Sequence, residues 1–149
     1  MKIYVAGPMT GIPSFNFPAF DAAAAQLRDD GHEVVTPSEM DDPEDRANAM
    51  ASLDGHYIGG VSRNKTWGDF LARDVKLLAD EGIDAVRVLP GWERSSGARF
   101  ETFAAIGLKT PVERLDGTRV SLVQLLMAWT GLSRSGLIGL VTGTKQARR

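Results

Sequence analysis

Two carboxylates and one Ser/Gly turn carry the chemistry open to this chain. The turn lies in Leu89-Pro-Gly-Trp-Glu-Arg-Ser-Ser-Gly-Ala-Arg-Phe-Glu101. Ala85 to Leu89 is an apolar run that reads as a buried strand, and Ala98 to Ile106 reads as a helix. The turn therefore joins a strand to a helix start. Backbone N–H groups there, with the hydroxyls of Ser95 and Ser96 and the small Gly97, suit an anion such as phosphate. Arg94 or Arg99 would add positive charge. On these boundaries Glu101 falls in the first helical turn, where the positive end of the helix dipole favours its ionised form. An ionised carboxylate close to a phosphate cradle is a candidate nucleophile or general base acting on a nucleotide. The plainer reading is a surface glutamate at a favourable helix position.

Asp74 is the second carboxylate. It sits among Phe70, Leu71, Val75 and Leu78, where a charge is costly unless satisfied. Either it points into a pocket with Glu101, or it is a boundary residue paired with Arg73 or Lys76. Two carboxylates from different elements are what glycosidic cleavage uses, one attacking the anomeric carbon and one managing a proton or orienting a hydroxyl. A third feature, Gly7-Pro8-Met9-Thr10-Gly11, follows an N-terminal strand. It lets a base, sugar or phosphate approach the backbone, or it is a plain turn that needs glycine anyway. It is not GxGxxG. Phe15, Asn16 and Phe17 are candidates to sandwich and hydrogen-bond a base; the alternative is a cap with core aromatics. Trp92 covers a base or sugar, or packs on the sheet edge. Ser95 and Ser96 also read as ordinary N-caps. His56 and Tyr57 serve a lid or a solvated loop.

The elements that must position these groups alternate. Lys2 to Ala6 reads as a strand, Phe17 to Asp29 as a helix and Glu33 to Thr36 as a short strand. Met40 to Thr66 is polar and long, with room for a short helix at Asp45 to Leu53; a loop of that length in a compact domain is usually functional or disordered. Trp67 to Asp80 is helical, Asp84 to Leu89 is a strand, the Glu101 helix follows, and Thr110 to Arg114 is a fourth strand. Ser121 to Leu132 is an amphipathic helix with Leu122, Leu125, Leu126 and Trp129 aligned; Gly136 to Thr144 is ambiguous, and Lys145 to Arg149 reads as a frayed basic tail. The expected architecture is a single-domain α/β, Rossmann-like (flavodoxin-like) three-layer fold. Its mostly parallel sheet has four to five strands with helices on both faces. Residues 1–114 form the main unit and 115–149 a helical extension with a basic tail. Ligands bind at the carboxyl ends of strands in such folds, which is where both glycine-bearing turns fall.

Bulk composition narrows the partners. The 149 residues suffice for one domain with a real core. A net charge of −2 argues against a general electrostatic grip on nucleic acid. No cysteine is present, so disulfides and thiolate metal sites are excluded, and two histidines show no metal-ligand spacing. The expectation is therefore no metal, no cofactor and no membrane partner. The N-terminus MKIYVAG has no long apolar run, so a cytoplasmic protein is the default expectation.

Three segments carry a resemblance: KIYVAGPMTGIPSFNFPAFDAAAAQLRDDGHEVVTPSE at Lys2–Glu39, WGDFLARDVKLL at Trp67–Leu78, and DAVRVLPGWERSSGARFETFAA at Asp84–Ala105. The chain resembles the nucleoside 2-deoxyribosyltransferase superfamily. More narrowly it resembles the small DUF4406-type domains of unknown function frequent in bacterial and phage genomes, with a relation to 2′-deoxynucleoside 5′-monophosphate N-glycosidases. The resemblance implies Glu101 as nucleophile on the anomeric carbon and Asp74 as its assistant. It implies Ser95 or Ser96 as ligand to a 5′-phosphate, and Gly7 to Gly11 as the turn closing over sugar and base. It also implies a homodimer or higher homo-oligomer, for which the Leu122/Leu125/Leu126/Trp129 stripe is one candidate face and packing on its own sheet the other. Thr10 stands where the monophosphate hydrolases often carry arginine, and Arg87 interrupts an otherwise apolar strand.

The implied reaction is double displacement on a (deoxy)nucleoside or its 5′-monophosphate, through a covalent glycosyl-enzyme, ending in hydrolysis or transfer. Competing readings are a phosphoribohydrolase of the cytokinin-activating type, whose doubled glycine and threonine are absent here, and a nucleotide-binding or sequestering module that keeps the cradle without a nucleophile. A scaffold, in which the turns are only turns, is the third.

Overall fold

The computed structural model describes residues 1–56 and 65–142. Four parallel strands form one sheet in the order β2-β1-β3-β4: β1 is Lys2–Ala6, β2 Glu33–Val35, β3 Ala85–Val88 and β4 Val112–Arg114. This is the α/β, Rossmann-like class expected from the alternating pattern. The helices are α1 (Phe17–Asp29), α2 (Pro43–Ala51), α3 (Trp67–Asp80), α4 (Ser96–Gly107), α5 (Leu122–Thr130) and α6 (Arg134–Thr142).

Period-two alternation along β1 splits the core. Ile3 and Val5 pack with Phe20, Ala24 and Leu27 of α1 on one face. Tyr4 and Ala6 face the other way, toward Leu77 and Leu78 of α3, Ala98 and Ala105 of α4, and Leu125 of α5. Both faces are therefore covered, as an all-parallel sheet requires. Each large apolar side chain so buried contributes about 1.5–3 kcal/mol. Tyr4 is the one β1 side chain that carries a polar atom into this core, where its hydroxyl needs a partner.

Caps explain where boundaries differ from expectation. α2 starts at Pro43, two residues before the expected Asp45, because Asp42 caps it by accepting from the N–H groups of Glu44 and Asp45, and proline suits the first position. α4 starts at Ser96 rather than Ala98 because Ser95 is its cap, accepting from Ala98 N–H at 3.3 Å. The ambiguous Gly136 to Thr144 segment is helical in α6 as far as Thr142. Residues 57–64, with the candidate lid residue Tyr57, lie outside the described residues, as does the basic tail. No helix among the described residues is long and apolar enough to cross a membrane.

The α5 stripe turns inward. Leu125 is buried, Leu126 and Trp129 are half-buried, and Trp129 Nε1 donates to Thr102 Oγ1 of α4 at 3.1 Å. Only Leu122 of the four is exposed. The stripe packs on its own chain.

Candidate active site

The strand order places β1 and β3 side by side while their following segments diverge. That reversal opens a crevice at the carboxyl ends of the strands. A cleft of about 880 Å³ lies there. Gly7 to Thr10 form one wall and Pro90 to Ala98 another, except for Trp92 and Glu93. Two packing constraints bring these turns together. A Cβ on Gly7 would lie 2.8 Å from Leu89 Cβ and Cδ1, so glycine here serves strand-end packing. Gly91, at φ +84°, leaves its open side toward Pro8 and Arg94.

Glu101 lies at the cleft, 5% exposed, and is the sixth residue of α4. Its position in the second turn corrects the first-turn expectation, and its charge state differs too. Tyr4 Oη donates to Glu101 Oε1 at 2.9 Å, from the adjacent strand. Burial, with the charge of Asp74 adding to it, pushes the Glu101 carboxyl from the ordinary 4.5 up to about 8. The Tyr4 hydrogen bond and the Arg73 charge oppose that rise without cancelling it. One turn away from the helix start and out of water, the dipole no longer decides the ionisation. Burial thus favours the neutral acid form of Glu101.

Asp74 is 6% exposed and lines the same cleft. It is also paired, since Arg73 Nε donates to Asp74 Oδ1 at 2.9 Å, so cleft position and pairing with Arg73 coexist. Burial raises its carboxyl above the usual range, and Arg73 opposes this. The buried Tyr4 hydroxyl is pushed well up by burial and by Glu101, so it stays a donor.

The Ser/Gly turn is built as an open helix start. Ser95, Ser96 and Gly97 line the cleft. Ser95 Oγ takes the Ala98 N–H, which leaves the Ser96 and Gly97 N–H groups without a protein acceptor among the described residues. A Cβ on Gly97 would meet nothing nearer than Ser95 Oγ at 3.9 Å, and its backbone is not left-handed. Packing therefore does not demand glycine at this position; its smallness leaves the backbone accessible from the cleft. Of the two arginines, Arg94 lines the cleft. Arg99 does not: its guanidinium donates to Ala128 O at 3.3 Å and Ser96 Oγ at 3.5 Å.

Three expected site residues sit elsewhere. Trp92 is 4% exposed and packs in the core beneath α4 and α5, because the Gly91 turn directs it inward. Gly11 turns at φ +81° and donates to Gly55 O at 3.1 Å, so it does not line the cleft itself but braces Gly55, which does. Asn16 Nδ2 donates to Pro8 O at 2.8 Å, so it braces the first turn from behind. Phe15 and Phe17 do line the cleft, as does His56. Ser14, Phe15 and Asn16 all have positive φ, at 54°, 49° and 61°. Such a run costs about 1–2 kcal/mol per residue. Hydrogen bonds from Ser14 to Ser52 O and Met50 O, with the Asn16 brace, hold it and keep Phe15 at the cleft.

Arg73 and Asp41 also line the cleft, Arg73 Nη1 donates to Asp41 Oδ1 at 2.7 Å, and Tyr4 backs Glu101 from the core. The one available signal for Tyr4 was a hydroxyl in an otherwise apolar strand. Among the described residues no group of three or more His, Asp or Glu side chains could hold a metal ion.

The family model for a domain of unknown function (DUF4406) matches residues 1–113, which run from β1 into β4 and include every cleft residue named above. The chain belongs to the DUF4406 family. The match stops short of α5 and α6, which follow β4. No curated protein and no solved structure gives a significant match. Membership in the DUF4406 family thus covers the cleft and both carboxylates.

Proposed function

We propose that this DUF4406 protein cleaves or transfers the N-glycosidic bond of a (deoxy)nucleoside 5′-monophosphate, with Glu101 as nucleophile. One observation carries the reading: two buried carboxyls, Glu101 and Asp74, share a cleft with an open helix N-terminus and a cation, Arg94. The resemblance to the nucleoside 2-deoxyribosyltransferase superfamily points the same way.

The Ser96 and Gly97 N–H groups and Arg94 suit a phosphate. The Arg94 guanidinium makes no protein hydrogen bond or ion pair among the described residues, and its backbone N–H donates to Gly91 O at 3.1 Å; a free guanidinium at the cleft favours a monophosphate over the bare nucleoside. Phe15, Phe17 and Trp67 offer aromatic surface for a base. Glu101 gives up its proton, its ionised oxygen attacks C1′ as the C1′–N bond breaks, and the bonding pair leaves on the base nitrogen, which takes up that proton. Water or a second base then attacks C1′ and frees Glu101. Asp74, kept oriented by Arg73, accepts a hydrogen bond from a sugar hydroxyl or from the attacking water. Keeping Glu101 neutral before substrate arrives avoids two adjacent buried charges; positive charge developing at C1′ then favours its ionised form.

A non-catalytic nucleotide-sequestering module is the second reading. The raised Glu101 favours it to this extent: a neutral carboxylic acid is a hydrogen-bond donor suited to holding a ligand. A panel of nucleosides and 5′-monophosphates, with and without acceptor bases, separates the two. Free or exchanged base supports catalysis; binding without any base release supports the module.

A further inference from the structure

Arg73 and Asp74 are consecutive on α3, and side chains one residue apart on a helix do not face each other. Arg73 nevertheless reaches Asp74 with Nε while Nη1 bonds Asp41, which comes from the segment between β2 and α2. The guanidinium lies over the Phe70 ring at 5.4 Å from its centroid. A pairing that only neutralised Asp74 would need one contact. A planar fork bonded at two points and stacked on a ring is fixed in orientation, and so is the carboxylate it holds.

We propose that Arg73, tethered by Asp41, is the positioning residue of the carboxylate pair, holding Asp74 in one orientation beside Glu101. The inference rests on the glycosidase reading above. Arg73 touches no reacting atom in that mechanism. Its charge faces Asp74 and Asp41 directly, and acts at longer range on Glu101 of α4 and Tyr4 of β1. Lys65, His56 and Arg94 also line the cleft, and Lys65 is paired with Asp45 and Asp42.

The test combines turnover with carboxyl titration. Against a monophosphate that the wild type cleaves, Arg73→Gln is expected to lower kcat about 100-fold with little change in KM, as mispositioning does. It also moves the ascending limb of the pH profile upward, because the cation that favours ionised Glu101 is gone. Arg73→Lys keeps the limb near its wild-type place but not kcat, since an ammonium on a flexible stem lacks the planar fork that fixes the orientation of the Asp74 carboxylate. Asp41→Ala cuts only the tether, should fold where Arg73→Gln does not, and lowers kcat roughly tenfold by loosening the same geometry. Wild-type kcat and pH profile in Arg73→Lys and Asp41→Ala overturn the inference while leaving the glycosidase reading intact. If the wild type cleaves nothing, that reading falls first, and carbon-13 titration of the ligand-free carboxyls decides this one. An upward move of Glu101 in Arg73→Gln supports the coupling, and an unmoved midpoint overturns it.

Discussion

Tyr4 Oη and Glu101 Oε1 are joined by a 2.9 Å hydrogen bond that spans 97 residues of sequence and links the sheet to α4. It orients the proposed nucleophile and opposes the rise in its pKa. Tyr4→Phe keeps the ring packing and removes that donor. Glu101 then becomes harder to ionise, and the ascending limb of kcat/KM against pH moves upward. Folding stability falls by about 1 kcal/mol, the net value of such a bond. Urea unfolding and a pH–rate profile on the same variant check both.

Glu101 also makes stability depend on pH. Its folded-state pKa, about 8, lies above the ordinary 4.5, so the folded protein binds more protons than the unfolded chain between those values. Stability is therefore full below about 4.5 and declines as pH rises to about 8. Glu101→Gln removes this dependence. The variant should overtake the wild type across that window, by an amount on the order of a few kcal/mol at pH 9. Denaturant unfolding at pH 5 and pH 9 reads the difference directly.

The fold was largely legible in the sequence because alternation and turn chemistry are local. Strand-to-helix spacing gave the parallel sheet, and the Ser/Gly turn marked the start of α4. Charge state was not legible. A boundary two residues early, set by the Ser95 cap, carried Glu101 from the exposed first turn into the second, and burial then outweighed the helix dipole. Trp92 and Asn16 were misplaced for a related reason. Which way a turn residue points depends on the neighbouring turn, here Gly91 for one and Pro8 for the other. Arg73 and Asp41 lie 32 residues apart, and no local pattern joins them.

Gly97 and Ser95 separate fold from binding. Gly97→Ala meets no close contact at a helical position, so it should stabilise the protein by roughly 0.5–1 kcal/mol. Its methyl group would nonetheless obstruct the cradle, weakening monophosphate binding while nucleoside binding changes little. Ser95→Ala loses the cap and should destabilise by about 1 kcal/mol. Thermal unfolding and calorimetric titration with a nucleoside and its 5′-monophosphate distinguish the two variants.

Gly7 is expected to behave in the opposite way. Gly7→Ala drives a methyl group into Leu89 at 2.8 Å and should cost about 1–3 kcal/mol through overpacking. Leu89→Ala in the same chain removes the Cγ and Cδ1 contacts but keeps the Cβ at 2.8 Å, so the double variant should recover part of the clash and lose somewhat less than the sum of the singles. A double-mutant cycle by urea unfolding measures this.

The central claim is that Glu101 becomes covalently bonded to the sugar. Rapid acid quench of the enzyme turning over a deoxynucleoside 5′-monophosphate, followed by intact-protein and peptide mass spectrometry, tests it most directly. The account predicts a deoxyribosyl-5-phosphate adduct on the peptide containing Glu101, absent from Glu101→Gln together with base release. Base release that proceeds undiminished in Glu101→Gln, with no adduct on the wild type, would contradict it.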